Sequence, residues 1–341
     1  MLITYFRSSS YNEWGLCQQQ YFLDYVLGIP QDANKRAEMG TTFHKVMECL
    51  ANATLAVKAG ESVFVDRQLG SIPVDSLRLH TSQFVDQIFN LVYNHYTFPG
   101  RSKNTFTITD KRTIYAWVYN TLEGCFGLFD PRKRNIVAAE PHFDFLIEEP
   151  WTHYEFENPH GGEPIVGQLG IKGTIDLVTQ VKDDMYEVID WKTGQRKDWA
   201  TDKEKDFDKL SIDPQLRMYH YAVTRMYPDI KQIAMTINWV RDGGPFTMAF
   251  GPDDIKATLE MLRVRFEQIK ASTRPTLKSN NNTHYFCTRV CSYGKNPHPK
   301  DPTRNICQYI KRQVLLKGIN AVIRDETHQG HNVADYSNPG E

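Results

Sequence analysis

The chain has 341 residues, enough for one elaborated domain or a core that carries an insertion. Its 40 Lys and Arg against 41 Asp and Glu leave a formal net charge of −1, which excludes holding nucleic acid by a global basic field. A hydrophobic share of 40% and a charged share of 24% exclude general disorder, and no apolar run approaches the ~20 residues that span a bilayer.

The opening MLITYFRSSSYNEW lacks a basic segment followed by a long apolar stretch, so a soluble cytoplasmic chain with reduced thiols is expected. Ser8, Ser9 and Ser10 offer caps for a helix over 11–25, stopped near Gly28 and Pro30. A second helix is expected from Arg36 through GTTFHKVMECLANATLAV. Helical spacing returns over 76–96 and 111–129, so 51–130 reads as a helical insertion after the N-terminal helices of 1–50. Cys49 and Cys125 fall inside these helical patterns and read as buried, inert thiols.

The pattern then turns to strands. NIVAAEPHFDFLIEE alternates, IVGQLGIKGTIDLVTQV reads as one or two strands, and MYEVIDWKTG as another. A helix follows Asp213, and two strands flank the turn at 241–244. Pro252 opens a long helix to about Ala271. This makes 131–272 an α/β core, a central mixed sheet flanked by helices. Residues 273–317 read as a cysteine-rich, loop-like segment and 318–341 as a polar tail.

The chemistry concentrates in Gly173-Thr174-Ile175-Asp176 and in Val188-Ile189-Asp190-Trp191-Lys192-Thr193-Gly194. Strand alternation puts Asp190 and Lys192 on one face, with Trp191 opposite. Asp176 ends a neighbouring strand and can reach the same spot. Two carboxylates and a lysine on one face are costly unless a cation sits between the acids, and hard oxygen ligands suit Mg²⁺ or Mn²⁺. Alone, Asp-x-Lys is a weak signal that a surface salt bridge would also explain. Upstream, GTTFH starts a helix with His44, and downstream Gln215 and Tyr219 share a helix face at i and i+4. Glu140 precedes Pro141 in the first strand.

In this order, GTTFH, Glu140, GTID, DWKTG and QLRMY resemble the RecB-like branch of the PD-(D/E)XK nuclease superfamily, over roughly Gly40 to Tyr219. The resemblance implies a restriction-endonuclease-like core in which His44, Asp176, Asp190 and the Ile189 carbonyl ligate Mg²⁺ or Mn²⁺. It implies that Lys192 orients or activates water, that Gln215 and Tyr219 position Lys192, and that Glu140 supports the metal from behind or holds a second one. The implied activity is a metal-dependent DNA exonuclease for single strands or ends, in recombination, repair or replication. Rival readings are a non-catalytic DNA-end-binding subunit and a structure-specific endonuclease.

Cys17 and the trio Cys287, Cys291 and Cys307 resemble the cysteines of AddB-type and CRISPR-associated members of that branch, which staple the chain ends with a 4Fe-4S cluster. The spacing Cys-x₃-Cys-x₁₅-Cys is longer than in those relatives. Zinc on three cysteines plus His284 or His298, or free thiols, stay open as alternatives. No Gly-x-x-x-x-Gly-Lys-Ser/Thr stretch is present, so DNA as substrate implies free ends or a helicase or single-strand-binding partner. Arg132-Lys133-Arg134, 192–197 and Lys311-Arg312 are possible phosphate contacts, though each also reads as a solvated face. Trp191, Trp199, Tyr219 and Tyr221 are core residues or stacking surfaces for unpaired bases.

Overall fold

The computed structural model describes residues 1–32, 34–98, 102, 104–197, 203–241, 244–277 and 283–328. The N-terminal part runs β1 (Tyr5–Phe6), α1 (Ser8–Leu16), α2 (Gln18–Tyr21) and the long α3 (Lys35–Lys58). A hairpin of β2 (Val63–Asp66) and β3 (Gly70–Pro73) follows, then α4 (Ser82–Thr97) and α5 (Ile108–Glu123). Six short strands come next: β4 (Ile136–Ala139), β5 (His142–Leu146), β6 (His153–Phe156), β7 (Ile165–Gln168), β8 (Gly170–Thr174) and β9 (Leu177–Lys182). The core is completed by β10 (Met185–Lys192), α6 (Phe207–Ser211), α7 (Pro214–Met226), β11 (Gln232–Trp239), β12 (Gly244–Phe250) and α8 (Pro252–Ala271). The C-terminal part holds α9 (Thr283–Tyr285), α10 (Ser292–Lys295), β13 (Pro297–His298), β14 (Asp301–Asn305), α11 (Ile306–Lys317) and α12 (Ile319–Glu326).

The main sheet has the order β12-β11-β10-β9-β4, with β10 and β11 parallel and the other neighbours antiparallel. A second sheet orders β1-β8-β5. Period-two alternation along β10 divides the interior into two layers. Val188 packs with β11, α7 and α8, whereas Ile189 and Trp191 pack with α3, α4 and α5. The mixed α/β architecture with a helix-flanked mixed sheet is the expected one.

Several local expectations are corrected. The insertion is not wholly helical, because β2 and β3 form a hairpin within it. The first helix breaks at Cys17, whose extended backbone (φ −161°, ψ 108°) separates α1 from α2. Cys125 is exposed in a left-handed turn after α5, not buried in a helix. The C-terminal segment contains the β13–β14 hairpin and α11, and the polar tail begins with α12, beyond which 329–341 lie outside the described residues. No helix among the described residues is long and apolar enough to cross a membrane.

Candidate active site

Two chain segments turn the same corner. Between β4 and β5 the chain passes through Glu140-Pro141, and between β8 and β9 through Ile175-Asp176, so each crosses from one sheet to the other. The corners are tied by Glu140 N–H donating to the Asp176 carbonyl (3.1 Å) and Ile175 N–H to the Pro141 carbonyl (3.1 Å). Glu140 is held at φ 47°, a left-handed conformation that costs a residue with a side chain roughly 1–2 kcal/mol. Strain of this kind persists where its surroundings impose it, and here it fixes Glu140 beside Asp176.

Beyond Leu177, β10 has no β9 neighbour, and Asp190, Trp191 and Lys192 pair with β11 alone. In that gap the Trp191 N–H donates to Asp176 Oδ2 at 2.8 Å. The N–H and C=O of one strand residue project to the same side, so the Trp191 carbonyl opens on the gap as well. Ile189, two residues back, faces Leu177 across the ladder. The Lys192 carbonyl points the other way, accepting the Val240 N–H at 3.0 Å. Strand alternation directs the Trp191 carbonyl to the same side as that of the expected Ile189.

From the other layer, α3 brings His44 Nδ1 to 3.3 Å from Asp176 Oδ2. Gly40 eases its approach, since a Cβ there would stand 3.2 Å from Thr193 Oγ1, a tight contact. Gly173 has a similar reason, because a Cβ would meet the Phe143 ring at 2.4 Å. Ligand atoms of His44, Glu140 and Asp176 lie within 4.8 Å of one another. Glu140, the most weakly expected member, thus joins the set.

Asp190 belongs to an adjoining network. Lys192 Nζ donates to Asp190 Oδ1 (3.0 Å) and Gln215 Oε1 (2.8 Å). Gln215 Nε2 donates to Asp190 Oδ1 (3.1 Å) and to the Tyr219 hydroxyl (2.8 Å), which donates to the Thr174 carbonyl (2.6 Å). Asp190 Oδ2 lies 2.8 Å from Lys192 Nζ yet accepts no well-directed hydrogen bond, although it is buried.

The electrostatics match this crowding. Burial, reinforced by the Asp176 charge, raises the Glu140 carboxyl to about 8. Burial raises Asp190 to about 6, against the pull of Lys192. Burial would raise Asp176 too, but His44, Lys192 and the Trp191 N–H hold it below the ordinary carboxylate value. For His44 burial acts downward, and the Asp176 carboxylate outweighs it to raise the imidazole. Lys192 is likewise raised: burial opposes its charge, and Asp190 and Asp176 restore it. The two carboxylates and the imidazole that converge here form a donor set that fits a hard divalent cation, and Asp190 stands beside it with one oxygen that accepts no hydrogen bond.

Behind His44, Lys45 Nζ pairs with Asp66 Oδ2 (2.6 Å) and Glu48 Oε1 (2.9 Å), which sets the charge around Glu140. Sequence reasoning missed this group, because Asp66 lies in the unforeseen β2–β3 hairpin. Of the run Arg132-Lys133-Arg134, weighed above as phosphate contact or solvated face, Arg132 pairs with Asp130 at 2.9 Å and Arg134 with Glu187. Arg196 packs over Phe246, and Lys311 and Arg312 are exposed. Trp191, Tyr219 and Tyr221 are buried, and Trp199 lies outside the described residues.

Cys17, Cys287, Cys291 and Cys307 come into one neighbourhood. Burial pushes the Cys307 thiol up to about 12, with Cys17, Cys291 and Cys287 adding to it. Burial also raises Cys291, against the pull of the Gly294 and Tyr293 backbone N–H groups, and the Gly294 N–H donates to the Cys291 carbonyl at 3.1 Å. No three of these sulfurs lie within 4.8 Å of one another. His298 is stacked on Tyr309 with ring centroids 3.7 Å apart and accepts the Lys300 N–H, so it is engaged away from them.

A sequence model of the PD-(D/E)XK nuclease superfamily matches residues 8–295. No curated protein matches the chain. Among solved structures, a candidate exonuclease from Eubacterium rectale is similar at 11% identity and a TM-score of 0.41, over 87% of this chain and 91% of that one. SSO0001 is similar at 12% identity and a TM-score of 0.28, over 78% of this chain and 96% of that one. Likenesses at this level carry no functional argument.

Proposed function

As the chain belongs to the PD-(D/E)XK nuclease superfamily, we propose that it is a metal-dependent DNA exonuclease acting on single strands or ends. The observation that carries this reading is the convergence of His44, Glu140 and Asp176 donors within 4.8 Å beside a lysine fixed by Asp190 and Gln215. Mg²⁺ or Mn²⁺ held by these three and by Asp190 would supply Lewis-acid activation of the phosphodiester and of water.

The chain's own groups do the rest. Lys192, fixed on two sides, presents its ammonium to the phosphate where negative charge builds during attack. Gln215 is the positioning residue: it accepts from Lys192 and is itself held by Tyr219, which is anchored on the Thr174 carbonyl. Asp176 serves both the cation and the Trp191 N–H, so the site's main acid also seals the strand edge.

Cys17, Cys287, Cys291 and Cys307 are proposed to hold an iron–sulfur cluster joining the chain ends. The support for this reading is that the Cys17, Cys287 and Cys291 thiols all act on Cys307, so the two chain ends meet there. Gly294 also packs so tightly that a Cβ would lie 2.1 Å from the Cys287 carbonyl, as a compact ligand loop requires. Iron and sulfide assay of anaerobically purified protein, beside Cys307→Ser, tests this; zinc or no metal would overturn it.

The nuclease reading is tested with end-labelled linear single strands, linear duplexes and closed circles under Mn²⁺ and Mg²⁺. Progressive loss of linear strands with circles spared supports an exonuclease. Cleaved circles would move the reading to an endonuclease, and DNA binding without cleavage to a binding subunit.

A further inference from the structure

We infer that Phe126 is a stacking platform for a base of the nucleic-acid strand, and that Arg241 and Arg36 hold the phosphates between it and the active site. The inference deepens the nuclease reading and rests on it for the class of ligand.

The path starts one residue past Lys192. Thr193, Gly194 and Gln195 line a groove of about 580 Å³ with Lys35, Arg36 and Arg241. Asp110 lines it too, but Lys35 Nζ pairs with it at 2.5 Å. Arg36 and Arg241 are exposed, and neither has an acid partner among the described residues. Two unpaired guanidinium groups on a chain of net charge −1 form a local positive field that suits phosphates.

Arg241 also lines a second groove, of about 430 Å³, shared with Asn238, Trp239, Gly124 and Cys125. The two grooves meet at Arg241, at the end of β11. This is the strand beside β10, and Lys192 is in register with Trp239. The turn after α5 is seated there, since a Cβ on Gly244 would lie 3.9 Å from Cys125 Sγ.

That turn is unusual. Cys125 (φ 49°), Phe126 (φ 60°) and Gly127 (φ 73°) are successive left-handed residues, and only the last is a glycine. Gly127 has no room for a side chain, as a Cβ would stand 3.2 Å from the Leu122 carbonyl. The strained backbone leaves the Phe126 ring completely exposed (105%). A large aromatic ring held in water by a strained turn gains nothing for folding, and such strain collects at sites of function. A base offers the flat π-face that such a ring lacks in the free protein, and stacking of this kind tolerates any sequence.

The test is fluorescence-anisotropy titration of single-stranded DNA in EDTA, so that binding is read without cleavage, with metal-dependent cleavage followed in parallel. Phe126→Ala should weaken binding by roughly tenfold, and Phe126→Trp should restore it. Arg36→Gln and Arg241→Gln should each lower the slope of log affinity against log salt by about 0.7. A fully abasic deoxyribose-phosphate strand should bind the wild type and Phe126→Ala alike, and a tenfold difference there would overturn the stacking role. If Phe126→Ala binds intact DNA as the wild type does, the inference is overturned while the nuclease reading stands. If the wild type neither binds nor cuts DNA, both fall. Binding that depends on Phe126 without any cleavage would overturn only the nuclease reading.

Discussion

The Asp176 carboxylate accepts the Trp191 backbone N–H at 2.8 Å, where β9 has ended and β10 would otherwise present an unpaired edge. One side chain therefore completes a sheet edge and belongs to the candidate cation site. Removing it has two separable consequences. Asp176→Asn keeps an acceptor oxygen for Trp191 and should fold normally but lose Mn²⁺ affinity in calorimetric titration. Asp176→Ala should lose both Mn²⁺ affinity and stability, the latter by about 1–3 kcal/mol for the stranded buried donor. Equal melting of the two variants would refute the structural half.

Lys192 has two anchors, Asp190 and Gln215, and these differ in what they protect. Lys192→Gln should lower kcat by ~10²–10³ at saturating Mn²⁺, as expected for a group acting on developing charge. Gln215→Leu leaves the Asp190 contact in place, so a smaller loss of ~10–100-fold is expected. Steady-state kinetics on one labelled oligonucleotide ranks the pair. The reverse order would sink the positioning role.

The Tyr219 hydroxyl satisfies the Thr174 carbonyl at 2.6 Å behind the site. Tyr219→Phe should cost about 1 kcal/mol in urea unfolding, because the half-buried carbonyl loses its donor. Gly173→Ala should destabilise by ~1–3 kcal/mol through overpacking against Phe143. An unchanged midpoint in either variant would contradict the packing described.

The five motifs could be read in the sequence because each carries a local pattern: alternation for Asp190 and Lys192, i and i+4 spacing for Gln215 and Tyr219. The corners could not. Asp176 reads as a strand end, but Glu140 lies inside a segment with continuous strand character in which only Pro141 hints at the break. Their sheet switch depends on pairing between segments some 35 residues apart. The left-handed turn at Cys125 and Phe126 has no signal beyond the flanking Gly124 and Gly127, and helical spacing ran straight through it.

Glu13, far from the site, predicts a pH effect on stability. Burial, with the Asp24 charge adding, raises its folded pKa from 4.5 to about 8. The folded state thus holds a proton that the unfolded state releases, so this contribution is complete below pH 4.5 and is lost as pH rises through about 8. Thermal melts across that window should show falling stability for the wild type. Glu13→Gln should flatten the fall and be the more stable protein at pH 8; parallel curves would exclude Glu13 as the source.

The central claim is that His44, Glu140, Asp176 and Asp190 hold the cation that powers DNA cleavage. It is tested most directly by a time course on end-labelled single-stranded DNA with Mn²⁺, Mg²⁺ or EDTA, comparing the wild type with Asp190→Ala, Asp176→Asn and His44→Ala. Cleavage by the wild type with either metal, abolished by EDTA and by each substitution in folded protein, is the predicted result. Cleavage that persists in EDTA, or survives at the wild-type rate in Asp176→Asn, would contradict it.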